Sequence, residues 1–229
     1  MKISTAFVYG ASGHGKVVAD ILLSAGKHQL AGFIDDNPAM KGATVLGLPV
    51  LGDGAWLERE SRSSRIGVAL GVGDNYLRQM LFSRCLNWNI EPLTLVHPTA
   101  AVSQFATLEL GAVVMAHATI NPGARIARGA IVNTGAVIEH DVQVGEFAHV
   151  APNAAMGGAS SLGCFSMVAM GAVLIQCIKV GNGTTIGAGA VVVRNIPDGC
   201  VAFGVPARVV RNYSENNSAN VNDEAPIRR

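Results

Sequence analysis

The chain has 229 residues, of which 49% are hydrophobic and 14% are charged, and its formal net charge is +1. This balance argues against a nucleic-acid-binding surface, which normally carries a clustered basic excess. A membrane span needs a run of roughly 18 apolar residues, and here glycines and polar residues interrupt every candidate run. The length allows one or two domains with an ample core.

The amino terminus and the cysteines bear on the compartment. The first residues lead directly into a predicted strand rather than a signal peptide, so we expect a cytoplasmic protein. The cysteines are widely spaced, with no C-x-x-C pair, and we expect buried thiols rather than disulfides or zinc ligands. They are Cys85, Cys164, Cys177 and Cys200.

Predicted strands and helices alternate through the first part of the chain. In order, the patterns predict a strand (5–10), a glycine-rich loop, a helix (17–25), a strand (30–34), a glycine-rich excursion (41–53), a short helix (55–62), a strand (66–72), a helix (76–87) and a last strand (91–96). Such alternation favours a small parallel sheet with crossover helices. Residues 1–95 are therefore expected to form a Rossmann-like α/β domain.

Two polar features fall at the carboxyl edge of this predicted sheet. The segment GASGHG follows the first strand, where free backbone N–H groups and the helix dipole favour an anion. Its spacing, G-x-x-G-x-G, differs from the G-x-G-x-x-G of dinucleotide-binding enzymes and so weakens an NAD hypothesis. Asp35 and Asp36 end the second strand, where carboxylates can accept hydrogen bonds from a ribose, a uracil N–H or sugar hydroxyls. These features favour a nucleotide site, and the alternative is a tight turn beside a solvated acidic loop.

From residue 96 onward, an aliphatic residue recurs at every sixth position. These residues are Val96, Val102, Leu108, Val114, Ile120, Ile126, Val132, Ile138, Val144, Val150, Met156, Leu162, Val168, Leu174, Val180, Ile186 and Val192. A residue that is usually small, such as Ala112 or Ala136, follows each of them four positions later. A period of six fits neither an α-helix nor a heptad repeat and indicates a solenoid.

Each six-residue unit is predicted to be one short strand and a turn, with the aliphatic residue inward and the small residue at the bend. Three units close one triangular coil, and about six stacked coils bury the aliphatic column. Glycines are expected to supply positive φ at the corners. They include Gly111, Gly123, Gly129, Gly135, Gly145, Gly171, Gly181, Gly183, Gly187 and Gly189. We expect this domain to span residues 96–211 and the polar residues 212–229 to be disordered.

His140 and Asp141 are the strongest catalytic candidates in the solenoid. They are the second and third residues after Ile138, beside a predicted corner, where adjacent side chains can meet. A carboxylate bonded to one ring nitrogen fixes the tautomer and raises the basicity of the other nitrogen. Gly158 lies one coil further, and the Gly157–Gly158 pair is expected to leave open space above the imidazole, with one of its two N–H groups available to an oxyanion. The alternative is an ordinary surface histidine.

The order of four motifs resembles one known family. YGASGHG is followed by FIDD, by G-x-G-D-N-x-x-R and by hexapeptide repeats that contain IEHD. This order is similar to that of the bacterial nucleotide-sugar N-acetyltransferases and their sialic-acid O-acetyltransferase relatives, over nearly all of residues 5–211. The resemblance implies a left-handed parallel β-helix after the Rossmann-like domain. It also implies acetyl-coenzyme A as co-substrate and a homotrimer with active sites between subunits.

The resemblance also implies residue roles. Contacts to the nucleotide-sugar fall, by motif position, on Ser12, Gly13, His14, Asp35, Asp36 and Gly73. His140 is the implied general base, oriented by Asp141 or, as a lesser candidate, by Glu139. Acetyl-coenzyme A is expected along His149, Gly158, Met170 and Ala188. The expected reaction is direct acetylation, first of all at the 4-amino group of a UDP-4-amino-4,6-dideoxy sugar for bacterial glycan biosynthesis.

Three alternatives stay open at this point. The first is a sugar O-acetyltransferase of the sialic-acid type, and the second is a non-catalytic trimeric nucleotide-sugar sensor or scaffold. The third is a zinc hydratase of the γ-carbonic-anhydrase kind, since His117, His140 and His149 lie within the repeats. Their positions in the repeat differ and none form a close pair, so we expect no metal site.

Overall fold

The computed structural model describes residues 5–213, which fold as an α/β domain followed by a triangular solenoid. The strands of the first domain are β1 (Thr5–Tyr9), β2 (Gln29–Ile34), β3 (Thr44–Val45), β4 (Leu48–Gly52), β5 (Ile66–Leu70) and β6 (Glu91–Pro92). Its helices are α1 (Gly13–Ala25), α2 (Gly54–Ser61) and α3 (Asn75–Asn87), with a 3₁₀ turn at Pro38–Met40. The sheet order is β3-β4-β2-β1-β5-β6, and only the β3–β4 pair is antiparallel. The chain crosses from β2 to β5 on either side of β1, so the carboxyl end of β1 is a switch point where ligands commonly bind.

Three sequence predictions for this domain need correction. Helix α1 begins at Gly13 rather than residue 17, because its buried stripe starts at Gly15 and continues through Val18 and Ile21. The glycine-rich excursion contains a hairpin, and its second strand, β4, joins β2 in parallel. The predicted strand 91–96 is two strands, because β6 pairs with the first sheet while the following Leu95–Val96 pairs with the solenoid.

The solenoid strands form three parallel sheets, one on each face of the prism. The first face contains Leu95–Val96, Val113–Val114, Ile131–Val132, His149–Val150, Met167–Val168, Thr185–Ile186, Cys200–Gly204 and the antiparallel Ala207–Asn212. The second face contains Ala101–Val102, Thr119–Ile120, Val137–Ile138, Ala155–Met156, Val173–Leu174 and Val191–Val192. The third face contains Thr107–Leu108, Arg125–Ile126, Gln143–Val144, Ser161–Leu162 and Lys179–Val180. Partner strands are separated by 18 residues, for example Val137 from Ala155, which confirms the predicted coil.

The bend of each unit lies one position earlier than predicted. Residues with positive φ recur at every sixth position from Gly111 to Gly189, and each directly precedes the position that is usually small, the exceptions being Val142 and Ile178. The small residue points inward: Ala136 and Ala154, for example, are fully buried. Three of the glycines predicted to have positive φ, Gly145, Gly181 and Gly187, do not have it. They are crowded by the next coil instead, since a Cβ on Gly145 would lie 2.7 Å from the Cys164 amide nitrogen.

The three faces differ in what their outward side chains meet. On the first face, Val113 and Ile131 are buried in one cluster with Val18 and Ile21 of α1, so the α/β domain covers this face. The outward residues of the third face are largely polar and exposed: Thr107, Arg125, Gln143, Ser161 and Lys179. Those of the second face carry no charge: Ala101, Thr119, Val137, Ala155, Val173 and Val191. The second face is thus an apolar sheet surface that the rest of residues 5–213 leaves uncovered.

The structure also bears on the expectations for membrane spans, for the cysteines and for the carboxyl-terminal tail. No helix within residues 5–213 is long and apolar enough to cross a membrane. The four cysteines are free, but only Cys85 and Cys200 are buried, while Cys177 is exposed at a corner of the solenoid. The prediction of uniformly buried thiols was wrong for Cys177, because the positive-φ corner position points its side chain outward. The predicted disordered tail falls from residue 214 onward outside the described residues, and Asn212 still ends a strand.

Candidate active site

The amino end of α1 is open at the switch point of the sheet. Ser12 occupies its N-cap position, but the serine side chain makes no capping hydrogen bond within the described chain. By contrast, the carboxylates of Asp53 and Asp74 cap α2 and α3 by accepting from backbone N–H groups. A Cβ on Gly13 would meet no atom within 4 Å, whereas one on Gly15 would overlap the Gly10 carbonyl oxygen. Uncapped amides beside an open glycine suit an anion such as a diphosphate.

The two predicted acidic ligands are engaged with the protein itself. Asp35 accepts hydrogen bonds from the Ala11 amide at 2.8 Å and the Asn37 amide at 2.9 Å, so it shapes the loop that precedes α1. Asp36 accepts from the Tyr9 hydroxyl, the Gly54 amide and the Arg84 guanidinium at 2.8–2.9 Å. Although burial opposes the shift, the bonds from Gly54, Arg84 and Tyr9 hold the pKa of Asp36 below its ordinary value. The geometry shows Asp36 as a link between β1, α2 and α3.

His14 and His149 meet between the two domains. Their ring centroids are 6.1 Å apart, although α1 carries one residue and the first solenoid face carries the other. The His149 Nε2 lies 2.9 Å from the Asn133 amide nitrogen. The Asn133 Oδ1 accepts from the Thr134 amide, which orients the Asn133 side chain so that its NH₂ donates to the imidazole. His149 is therefore a neutral imidazole whose Nε2 accepts from Asn133.

Burial keeps both imidazoles uncharged. Desolvation, with the nearby Arg78 charge as a second cause, lowers the pKa of His14 to about 4. The same two causes, followed by His14, lower the pKa of His149 to about 3. The Nε2 of His14 is buried and has no hydrogen-bond partner among the described residues. The structure thus joins three predicted site residues, His14, Gly73 and His149, in one cluster where α1, the loop after β5 and the first solenoid face meet.

His140 and Asp141 lie together at an exposed corner between the second and third faces. The His140 Nδ1 is 2.9 Å from the Asp141 Oδ2, and both side chains are more than half exposed. The contact is possible because Asp141 has φ of 59°, so the chain turns between the two residues. Glu139 is placed differently, since the one donor that its carboxylate meets in the described part of the chain is the His140 backbone amide, at 3.4 Å. Asp141 is therefore the residue that fixes the imidazole.

Glycines in the adjacent coils make room for this pair. A Cβ on Gly158, one coil above, would lie 2.6 Å from the His140 Cε1 and would overlap Nε2. A Cβ on Gly123, one coil below, would overlap the Asp141 Oδ1. The amides of Gly157 and Ala159 donate to the Leu174 and His140 carbonyls. The Gly158 amide has no acceptor among residues 5–213, so its N–H is free in the coil above His140.

Met170 and Ala188 lie at a different corner of the prism, between the first and second faces. Both are exposed and stack in one column, 18 residues apart. Within one chain, the apolar second face separates them from the corner of His140. The predicted site residues thus form three groups: the switch point with His149, the His140 corner, and the corner of Met170.

Several residues that shape the site could not be recognised from the sequence. Asn133 orients His149, but one asparagine on a repeat face gave no signal. Tyr9 and Arg84 donate hydrogen bonds to the Asp36 carboxylate from β1 and α3, and a pattern along the chain cannot show such contacts between distant segments. Arg78 belongs to the G-D-N-x-x-R motif, yet no role was assigned to it; it is fully buried between α3 and the solenoid.

Comparison with known proteins places this geometry in a family. Residues 5–85 match the family model described as the PglD N-terminal domain. The crystal structure of PerB from Caulobacter crescentus, in complex with CoA and GDP-perosamine, is 37% identical, with a TM-score of 0.85 over 90% of this chain and 97% of that chain. The protein belongs to the hexapeptide-repeat nucleotide-sugar N-acetyltransferases. As a member of that family, it is an acetyl-CoA-dependent sugar N-acetyltransferase with a left-handed β-helix.

Two further relatives agree with this membership. The acetyltransferase domain of PglB from Neisseria gonorrhoeae, in complex with acetyl coenzyme A, is 35% identical, with a TM-score of 0.86 over 91% of this chain and 100% of that chain. The UDP-N-acetylbacillosamine N-acetyltransferase of Bacillus subtilis is 35% identical over 112 residues, which are 48% of this chain and 50% of the relative. Across the described part of this N-acetyltransferase, no cluster of three His, Cys, Asp or Glu residues is placed to hold a metal ion.

Proposed function

We propose that the protein transfers the acetyl group of acetyl-coenzyme A to the 4-amino group of a UDP-linked 4-amino-4,6-dideoxy sugar, with His140 as general base. The observation that carries this proposal is the His140–Asp141 pair, held at 2.9 Å on an exposed corner beneath the Gly158 amide. A base, its orienting carboxylate and a free N–H donor are the groups that acyl transfer to an amine requires.

The proposed chemistry uses the two ring nitrogens of His140 differently. Asp141 accepts the Nδ1–H, which leaves Nε2 unprotonated and directed towards Gly158. The sugar amine attacks the thioester carbonyl and Nε2 takes its proton, while the Gly158 N–H donates to the carbonyl oxygen as negative charge develops. A C–N bond forms, the C–S bond breaks, and the imidazolium returns the proton to the departing thiolate. No acyl-enzyme is required.

The switch point supplies the proposed nucleotide-sugar site. The uncapped amides after Ser12 face the diphosphate, and Gly13 leaves space for its approach. Gly73 and His14 border the same opening, since the Gly73 Cα faces the His14 ring. Asp35 keeps a free lone pair on each oxygen beyond its two backbone contacts, so it can accept a hydrogen bond from the nucleobase or the ribose.

The occupancy of Asp36 leaves Asp35 as the carboxylate that is open to the nucleobase. Both oxygens of Asp36 already accept from Tyr9, and each accepts a second bond, from Gly54 or Arg84. In the proposed complex, Asp35 accepts the single ring N–H of uracil. The names of the relatives include both GDP- and UDP-linked sugars, so the acceptor must be tested with both.

The apolar second face supports the proposed homotrimer. Its outward residues have no charged member, while the first face is covered and the third is polar. A threefold axis along this face would bury Val173 and Val191 and would bring the His140 corner of one subunit beside the Met170 corner of its neighbour. Acetyl-coenzyme A would then lie between subunits, along Met170 and Ala188. The cytoplasmic location belongs to the same proposal, because both substrates are cytoplasmic metabolites.

The experiment is an acceptor panel assayed for thiol release from acetyl-coenzyme A. UDP-4-amino-4,6-dideoxy sugars are offered beside GDP- and dTDP-linked amino sugars and a free sialic acid. The proposal predicts thiol release with a UDP-linked 4-amino sugar and a product heavier by one acetyl group at nitrogen. Faster turnover of a GDP-linked acceptor would refute the UDP assignment, and acetylation only at a hydroxyl would refute N-transfer to the 4-amino group. Native mass spectrometry tests the proposed assembly. We expect a mass of three chains, and a mass of one chain would contradict the homotrimer.

A further inference from the structure

Arg78 is a fully buried cation that donates to no carboxylate within residues 5–213. Its exposed fraction is 0%, and all three guanidinium nitrogens donate hydrogen bonds. The acceptors are the Gly129, Phe147, Val72, Gly73 and Asp74 carbonyls and the Asn75 side-chain oxygen. Five of these six acceptors are backbone carbonyls. Burial lowers the pKa of Arg78 to about 10, which leaves the side chain charged at neutral pH.

On one side, the hydrogen bonds of Arg78 and its neighbour Asn75 reach carbonyl groups at a single corner of the solenoid. Arg78 donates to the Gly129 carbonyl through Nε and to the Phe147 carbonyl through Nη2, both at 2.8 Å. The neighbouring Asn75 amide donates to the Phe165 carbonyl at 2.9 Å. Gly129, Phe147 and Phe165 are successive members of one positive-φ column, 18 residues apart. The first turn of α3 is therefore hydrogen-bonded to three consecutive coils.

The other side of the network holds the loop after β5. The Arg78 Nη1 donates to the Gly73 carbonyl at 3.0 Å and to the Val72 and Asp74 carbonyls at 3.2 and 3.3 Å. This loop borders His14 at the proposed nucleotide-sugar opening. One guanidinium thus connects the substrate loop to the solenoid that carries His140.

Stability alone does not explain an arginine at this position. Removing a guanidinium from water costs several kcal/mol, and apolar residues of similar volume often stabilise such sites equally well. Aromatic packing already joins α3 to the same corner: Phe82 contacts Phe147 at 5.3 Å between ring centroids, and Tyr76 stacks on Phe165 at 5.0 Å. The distinctive property of arginine is a rigid fork that fixes several acceptors at once.

We propose that Arg78, assisted by Asn75, is a positioning residue that sets the substrate loop at a fixed distance from the solenoid. The inference rests on the proposed function, in which the loop at Gly73 borders the nucleotide-sugar. Without the fork, the loop and helix α3 can shift while the solenoid and its coenzyme corner keep their shape. The acceptor amine is then presented to His140 in a poorer geometry, and a misplacement of about 1 Å costs roughly 10²-fold in rate.

The test compares Arg78→Met, Asn75→Ala and the control Arg128→Met, which alters an exposed arginine next to Gly129. For each folded protein, we would measure the KM for acetyl-coenzyme A, the kcat/KM for the amino-sugar acceptor, and the Kd for UDP and for GDP. The proposal predicts that Arg78→Met lowers acceptor kcat/KM about 10²-fold and weakens nucleotide binding. The KM for acetyl-coenzyme A should stay within about twofold, and Arg128→Met should match wild type.

The outcomes distinguish the positioning role of Arg78 from the proposed function. Loss of total activity with unchanged KM and Kd values would indicate only a smaller folded fraction and would overturn the positioning role. Equal weakening of the coenzyme and the nucleotide would overturn it as well. If Arg78→Met does not fold, Asn75→Ala is the test variant. It should show a smaller loss of acceptor kcat/KM and of nucleotide binding, with the KM for acetyl-coenzyme A unchanged. If Asn75→Ala shows no such loss, the positioning role is wrong. Wild-type protein that binds neither UDP nor GDP would refute the proposed function instead.

Discussion

Acidification should destabilise the protein through the buried pair His14 and His149. Their pKa values are lowered to about 4 and about 3 in the fold, while an unfolded histidine titrates near about 6.5. The stability contributed by the neutral rings is therefore complete above pH of about 6.5 and is lost as the pH falls below it, because only the unfolded chain takes up protons there. At pH 5 each ring accounts for about 2 kcal/mol, so the pair accounts for about 4 kcal/mol relative to pH 8.

The assay is urea unfolding between pH 8 and pH 5 at one fixed protein concentration, since assembly would make stability concentration-dependent. His149→Asn should remove about half of the loss between these pH values, because one of the two buried titrating groups is gone. The matched control is His117→Asn, which alters an exposed histidine at a positive-φ corner that asparagine tolerates. If His149→Asn and His117→Asn showed the same pH dependence as wild type, the account of a neutral buried pair would be wrong.

Three further predictions concern the catalytic corner and the apolar face. Asp141→Asn should lower kcat about 10²-fold, because the amide cannot stabilise the imidazolium as a carboxylate does. Glu139→Gln should change kcat little. Equal losses in the two variants would contradict the assignment of Asp141 as the residue that orients His140. Gly158→Ala should lower kcat at least about tenfold with the protein still folded, since the added methyl group displaces the imidazole; wild-type kcat would show that the ring does not occupy this space. Val173→Lys on the second face should break the trimer in sedimentation analysis, while Ser161→Lys on the third face should not; intact Val173→Lys trimers would exclude the second face as the interface.

Much of the solenoid follows from local sequence, because each unit repeats the same short-range requirements. The period of six fixed the coil length, and the position of His140 and Asp141 after Ile138 predicted a corner where they could meet. The position of Gly158 above the ring followed from the same arithmetic. What the period could not reveal is which residue takes the positive φ: His117, Phe147 and Phe165 do so despite their bulk. Contacts of the Phe147 and Phe165 rings with α3 stabilise conformations that local propensity disfavours.

The remaining site features depend on contacts between distant segments. His149 is an outward residue of its strand, yet the α/β domain buries it against His14, which a repeat pattern cannot show. Asp36 ends a strand at a position typical of ribose ligands, and only the fold brings Tyr9 and Arg84 to its carboxylate. Both differences arise because burial and charge pairing are set by tertiary packing.

The central claim is that His140 removes the proton from the acceptor amine, and one measurement tests it most directly. Thiol release from acetyl-coenzyme A is followed with the best amino-sugar acceptor as a function of pH, for wild type and His140→Ala, after showing that both proteins bind the coenzyme equally. We predict that His140→Ala lowers kcat by about 10²-fold or more at every pH tested. A variant that keeps the wild-type kcat would contradict the account, because some other group would then be taking the proton.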